Sequence, residues 1–294
     1  MTSSKIAAFL ICAASLCVGG CDGIAPTRGN GQGSATSSVA GDADQLDAYI
    51  GAHNRLVGPF GFYERANYYR EADVAHASTD NQFIVGDGSI ERGIEQLTEA
   101  RAMSGAPADL NAAADALIKS MTRVRAHLAE LESYYTSKAY LDDKLARGRK
   151  EDPQMLAEIE AADADLTRFS DLIDRNMDKR EAAMLETLKA KGALLEYNSR
   201  LAMSHGRALM TLFKGSEGRD ASLFPRADAE VAIIQKAIAA AHAEAAKAGE
   251  KDPAELDSLS SMLGSYRSFK QNGRPADARQ MLESYNNAVQ SANR

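Results

Sequence analysis

Three kinds of side chain in this sequence have types and spacings worth testing for chemistry: thiols, imidazoles, and tyrosines set beside carboxylates. The thiols are Cys12, Cys17 and Cys21, all within the first 21 residues. A chain cut just before Cys21 keeps that thiol alone, and a single cysteine forms no internal disulfide. The imidazoles are His53, His76, His127, His205 and His242. A paired-imidazole metal site on one helix face needs histidines three or four apart, and none are so spaced. Asp73 and His76 lie one turn apart and read as a surface pair. His205 and Asn198 fall on an apolar stripe, as a core-edge histidine and a polar residue that helps fix helix register. No Glu-x-x-His pair, phosphate-cradling glycine loop, Gly-x-Ser-x-Gly elbow or cysteine nucleophile is present. The sequence therefore assigns no catalytic residue, no metal ligand and no cofactor, and the expectation is a protein that is not an enzyme.

The tyrosine group is Tyr134, Tyr135, Tyr140, Asp142 and Asp143. It sits where a regular apolar heptad gives out: after Tyr135 the seam positions are Lys138 and Asp142. Two readings apply. Tyrosines straddle a core edge with ring buried and hydroxyl wet, beside an exposed helix end. Alternatively, aromatics clustered beside acids suit a partner-binding surface, and this group is the candidate for one.

The start of the chain carries a different chemistry. Lys5 precedes an apolar run, Ile6 to Val18, that is shorter than the ~20 residues a membrane-spanning helix needs. The run ends in Val18-Gly19-Gly20-Cys21, which resembles the lipobox of bacterial lipoproteins. The resemblance implies a signal peptide over residues 1–20 and a diacylglycerol thioether on Cys21, hence a membrane partner held through lipid. Residues 21–41, rich in Gly, Ser and Thr, read as a flexible tether with a span of roughly 25 Å. The expected location is the cell envelope, facing the periplasm. Asp22 leans toward the inner membrane, without deciding between inner and outer.

What remains, residues 42–294, must position any site. It is rich in helix formers, and the chain as a whole lacks Trp and carries a net charge of -7 with interspersed signs. No basic face stands out, so nucleic acid is not an expected partner. Leu110, Ala114, Leu117, Met121, Val124, Leu128, Leu131 and Tyr135 recur at steps of four and three, one helical seam. Ile159, Leu166, Ile173, Arg180, Leu188, Leu195, Ala202 and Leu209 make a looser second one. The two segments meet at Glu151-Asp152-Pro153, with Asp152-Pro153 as cap and first residue of the second. Gly192 is its softest point.

Around this hairpin, a first helix from Asp42 to about Ala77 should kink at Gly58-Pro59, with Leu46, Ile50, His53, Val57 and Phe60 as its apolar stripe. A loop follows at Ser78–Ser89, and Ile90–Met103 is a short helix. Asp252 and Glu255 have capping-box spacing at the start of a later helix. Asn272-Gly273 ends that helix, and Pro275 opens the last. No stretch alternates as a strand does. The fold expected is all-α: an elongated antiparallel helical bundle built on a long helical hairpin.

Leu46, Tyr49, Ile50, Asn54 and Leu56, then the stretch from Tyr134 to Gly148, then Tyr285-Asn286-Asn287, Val289 and Asn293, resemble the YiiG-like family of bacterial lipoproteins, a domain of unknown function. The likeness spans about residues 44–293 and implies a helical lipoprotein with no transferable activity. Gly51-Ala52-His53 resembles the opening of the GxHxxE signature of imelysin-like periplasmic iron proteins, but Leu56 stands where the glutamate ligand belongs. The function expected is a membrane-anchored envelope protein, structural or binding an envelope protein partner. The alternative is a periplasmic small-ligand or metal-binding stress protein.

Overall fold

Good helix formers bounded by Gly and Pro fold as helices here. The computed structural model describes residues 37–81, 83, 88–213 and 220–293, and they are all-α, with no strand among them. The helices are α1 (Ser37–Val57), α2 (Phe62–Ala72), α3 (Gly88–Ala102), α4 (Ala108–Thr136), α5 (Ala146–Lys191), α6 (Leu194–Leu212), α7 (Phe224–Ala248), α8 (Glu255–Asn272) and α9 (Pro275–Ala292). Single 3-10 turns lie at Ala139–Leu141 and Ala221–Leu223. No helix of the described residues is long and apolar enough to cross a membrane. Cys21, the leader before it and most of the tether lie outside the described residues; α1 starts at Ser37, inside the stretch read as tether.

The chain divides into two compact units, one within Pro26–Met177 and one from Asp178 onward, the division falling inside α5. In the N-terminal unit, all eight residues of the predicted α4 seam are buried. The first part of α5 runs antiparallel to α4: His127 meets Glu158, and Tyr134 meets Gly148. The turn between them differs from the expectation. Helix α4 stops at Thr136, and Lys138, Lys144 and Leu145 adopt left-handed φ of 59, 57 and 67°. Pro153 accordingly sits well inside α5 instead of opening it. Its missing N–H deprives the Arg149 carbonyl of its usual helical donor. Asp152 is no cap; it accepts a hydrogen bond from the buried Tyr69 hydroxyl at 3.1 Å.

The expected kink in the first helix is a full break. Gly58 to Gly61 form a turn, with Gly61 N–H donating to Gly58 O at 2.9 Å. A Cβ on Gly61 would lie 2.4 Å from Leu56 O, so only glycine fits that approach. Phe60, expected on the apolar stripe, is 69% exposed at φ 62°, because the helix ends before it. The stripe itself is Leu46, Tyr49, Ile50, Ala52 and Leu56. A buried polar network ties α1 to the α3–α4 turn. Gln45, fully buried, donates to Ala100 O at 3.0 Å and to Asn111 Oδ1 at 3.1 Å, and accepts from Ala106 N–H at 2.6 Å. Tyr49 donates to the same Asn111 oxygen at 2.6 Å.

In the C-terminal unit α6 packs on α7 and α8 on α9. Their inner faces share one core, including Met203, Leu209, Ile234, Leu259, Tyr266 and Tyr285. Gly192, at φ 71°, separates α5 from α6 outright, where a bend was expected. Gly249 and Gly273 close α7 and α8 in the left-handed conformation. The capping box does not form: α8 starts at Glu255 without a side-chain cap. Asp252 pairs with His242 at 2.9 Å, and Glu255 accepts from Ser199.

Candidate functional site

Four of the five residues proposed as a partner surface come together, but facing inward. The Tyr134, Tyr135 and Tyr140 side chains are all buried. With Phe83 they form an edge-and-tilt cluster whose ring centroids lie 5.0 to 6.3 Å apart. The Tyr134 hydroxyl donates to Asp143 Oδ1 at 2.8 Å and accepts from Gly148 N–H at 3.3 Å. Asp143 Oδ2 accepts from Arg147 N–H at 3.0 Å, so this carboxylate ties the start of α5 to the ring cluster. Partial desolvation raises the Asp143 carboxyl, but the Arg147 N–H, the Tyr134 hydroxyl and the Leu145 and Ala146 N–H groups outweigh it and hold it below the usual carboxylate value. Asp142 stands apart and exposed, next to Leu141. The Tyr135 hydroxyl is buried with no hydrogen-bond partner among the described residues.

The imidazoles of His76, His127, His205 and His242 pair with carboxylates. His76 meets Asp73 on the surface at 2.9 Å, as its spacing suggests. His205, half-buried, meets Glu230 at 2.6 Å. His127 lies between Glu158 at 3.0 Å and Glu151 at 3.9 Å. Asn198 bonds within its own helix, to Leu194 O at 2.7 Å, and makes no cross-helix hydrogen bond among the described residues. Among the described residues no group of three His, Cys, Asp or Glu is placed to hold a metal ion.

The C-terminal unit holds a cleft of about 580 Å³ at the end where α6 starts, α7 meets α8 and α9 finishes. Leu194, Leu195, Met203, Pro253 and Ala292 supply its apolar wall. Its polar side chains are Ser199, Arg200, Glu196, Glu244, Glu250 and Glu255. Arg200 is committed to Glu181 through two hydrogen bonds, 2.9 and 3.3 Å, with both side chains largely buried. Glu244 pairs with Lys247 at 2.5 Å. Glu196 and Glu250 have no side-chain partner among the described residues. Sequence reasoning missed this site, because its walls come from four separate segments. The available signal was topological: in an antiparallel series, the Gly192-Ala193 break and the Gly249–Pro253 turn fall at the same end.

These features define an all-helical protein of two compact units, the second of which carries a ligand-sized cleft. The chain belongs to the family described as a protein of unknown function (DUF3829), which matches residues 40–289. No curated protein and no solved structure matches it.

Proposed function

We propose that this protein is a lipid-anchored, non-catalytic module of the bacterial cell envelope, held to the membrane through Cys21 and facing the periplasm. The observation that supports this best is the short apolar run ending in Val18-Gly19-Gly20-Cys21, with every cysteine of the chain confined to that leader. The resemblance to YiiG-like lipoproteins agrees with it. In this reading the helical units act by contact with an envelope protein partner. The exposed part of the tyrosine–aspartate group, Asp142 beside Leu141, is where contact would fall. Labelled fatty acid should be incorporated by the natural chain and not by Cys21→Ser. Continued labelling of that variant would put the anchor elsewhere.

A second reading, small-ligand binding, is favoured by the cleft in the C-terminal unit. Its volume lies in the range of about 300–1,000 Å³ that small-molecule pockets occupy.

A further inference from the structure

We propose that the cleft at the start of α6 binds a small organic cation with an apolar body, an alkyl- or arylalkylamine in chemical class. The inference rests on the ligand-binding reading and names its ligand; it is independent of the lipid anchor. The cavity carries it, and the chemistry of the walls gives it its sign. One wall is apolar, and Leu194 is 42% exposed there, an apolar surface that a bound hydrocarbon would cover.

The polar groups on the cleft favour positive charge. Arg200, the only cationic side chain in the lining, is neutralised by Glu181. Two helix N-termini, of α6 and α8, point their positive ends toward this region, which would otherwise suit an anion. Their first turns already carry Glu196 and Glu255, so an anion would meet carboxylates instead of free dipoles. Glu255 is engaged by Ser199 and Glu244 by Lys247. That leaves Glu196, from α6, and Glu250, from the α7–α8 turn, as unpaired carboxylates lining the cleft. An ammonium group, a compact charge with several donors, is the complement of these carboxylates. A divalent metal fits less well, because no three carboxylates or imidazoles of the described residues are grouped for chelation.

Met203 lines the cleft and supplies a reporter. In the full chain carrying ¹³C-methyl methionine, with Met203→Leu used to assign the signal, hexylamine should shift the Met203 methyl resonance saturably. The Met121 methyl, in the N-terminal unit, should not move. Methylammonium, hexanol and hexanoate test charge without tail, tail without charge, and tail with the opposite charge; each should bind more weakly, hexanoate least. Glu196→Gln combined with Glu250→Gln should weaken hexylamine by about fivefold, since two exposed ion pairs are lost, and added salt should weaken the natural chain in the same direction. If hexanol or hexanoate binds as tightly as hexylamine, or the double variant binds unchanged, the cation assignment is wrong while the cleft remains a ligand site. If no probe moves Met203, the ligand-binding reading fails with it.

Discussion

The Tyr134 hydroxyl is used in both senses, donating to Asp143 and accepting from Gly148 N–H. Phenylalanine at this position would keep the ring packing and strand both partners. Tyr134→Phe should therefore cost about 1–2 kcal/mol of stability, read from urea unfolding. The neighbouring hydroxyl behaves oppositely. Tyr135 is buried without a partner, so Tyr135→Phe removes an unsatisfied polar atom and should leave stability unchanged or raised. Equal losses in the two variants would mean that the environments of these hydroxyls are not as described. Asp143→Ala should lower the melting temperature, because α5 loses the carboxylate that tethers it, whereas Asp142→Ala should not. Recovery of an envelope partner should follow the reverse order. Tyrosine ionisation sets a pH limit. Burial above all pushes Tyr285 up to about 12, with the nearby Arg207 charge opposing the shift and Glu181 adding to it. Burial also raises Tyr69, Tyr135 and Tyr266 above their ordinary value. The unfolded chain releases these protons near the ordinary tyrosine value of 10.0. The stability they contribute is thus whole below that pH and is lost as pH rises toward 12 and beyond. Absorbance of tyrosinate and helical circular dichroism, followed together, should change in one step above pH ~10. Ionisation of all tyrosines with the helices intact would contradict this.

At the scale of elements, Gln45 shows how one buried amide orders three segments. It satisfies a carbonyl at the end of α3, an amide in the α3–α4 turn and the Asn111 side chain of α4. Gln45→Leu would take the acceptor from Ala106 N–H and one donor each from Ala100 O and Asn111 Oδ1, and should cost about 1–3 kcal/mol in denaturant unfolding. A loss below half a kcal/mol, the ordinary surface value of about ±0.5, would mean that water replaces the amide freely. What could be read from sequence follows from the same physics. The α4 seam was legible because a continuous core selects its period over more than three heptads, and all eight positions are buried. Local cap grammar was less reliable. Asp152-Pro153 and Asp252 with Glu255 have the right residues for helix starts, yet Tyr69, His242 and Ser199 capture those carboxylates from elsewhere in the fold. Tertiary partners of that kind leave no local trace. The tyrosine group was legible as a cluster, and its buried rings are what the core-edge reading implies; the turn that folds it was not legible, because the left-handed Lys138, Lys144 and Leu145 carry no glycine to announce it. The cleft was not legible at all, since only the packing of α6 to α9 joins its walls.

At the scale of the whole molecule, the division inside α5 has a counterpart in burial. From Asp174 to Thr187 no side chain of that helix is buried, whereas Ile173 and Leu188 on either side are. The intervening residues are mostly charged, Ala or Met, and their helix-forming tendency must sustain this stretch without a core of its own. Each unit, by contrast, closes a core. Leu117 is fully buried on α4, and Ile234 is fully buried on α7 among residues of α6, α8 and α9. Truncating either to alanine opens a cavity where neighbours relax only in part, and should cost about 2–5 kcal/mol. The place of the loss is the informative quantity. Leu117→Ala should lower hydrogen-exchange protection for the buried amides of α1, α3 and α4 while leaving those of α7 and α8 near their natural values. Ile234→Ala should do the opposite, because a compact unit with its own core opens as its own cooperative step. Exchange measured residue by residue on the two variants decides this. If either variant lowers protection equally across the chain, the molecule opens as one cooperative body and the boundary in α5 has no energetic meaning.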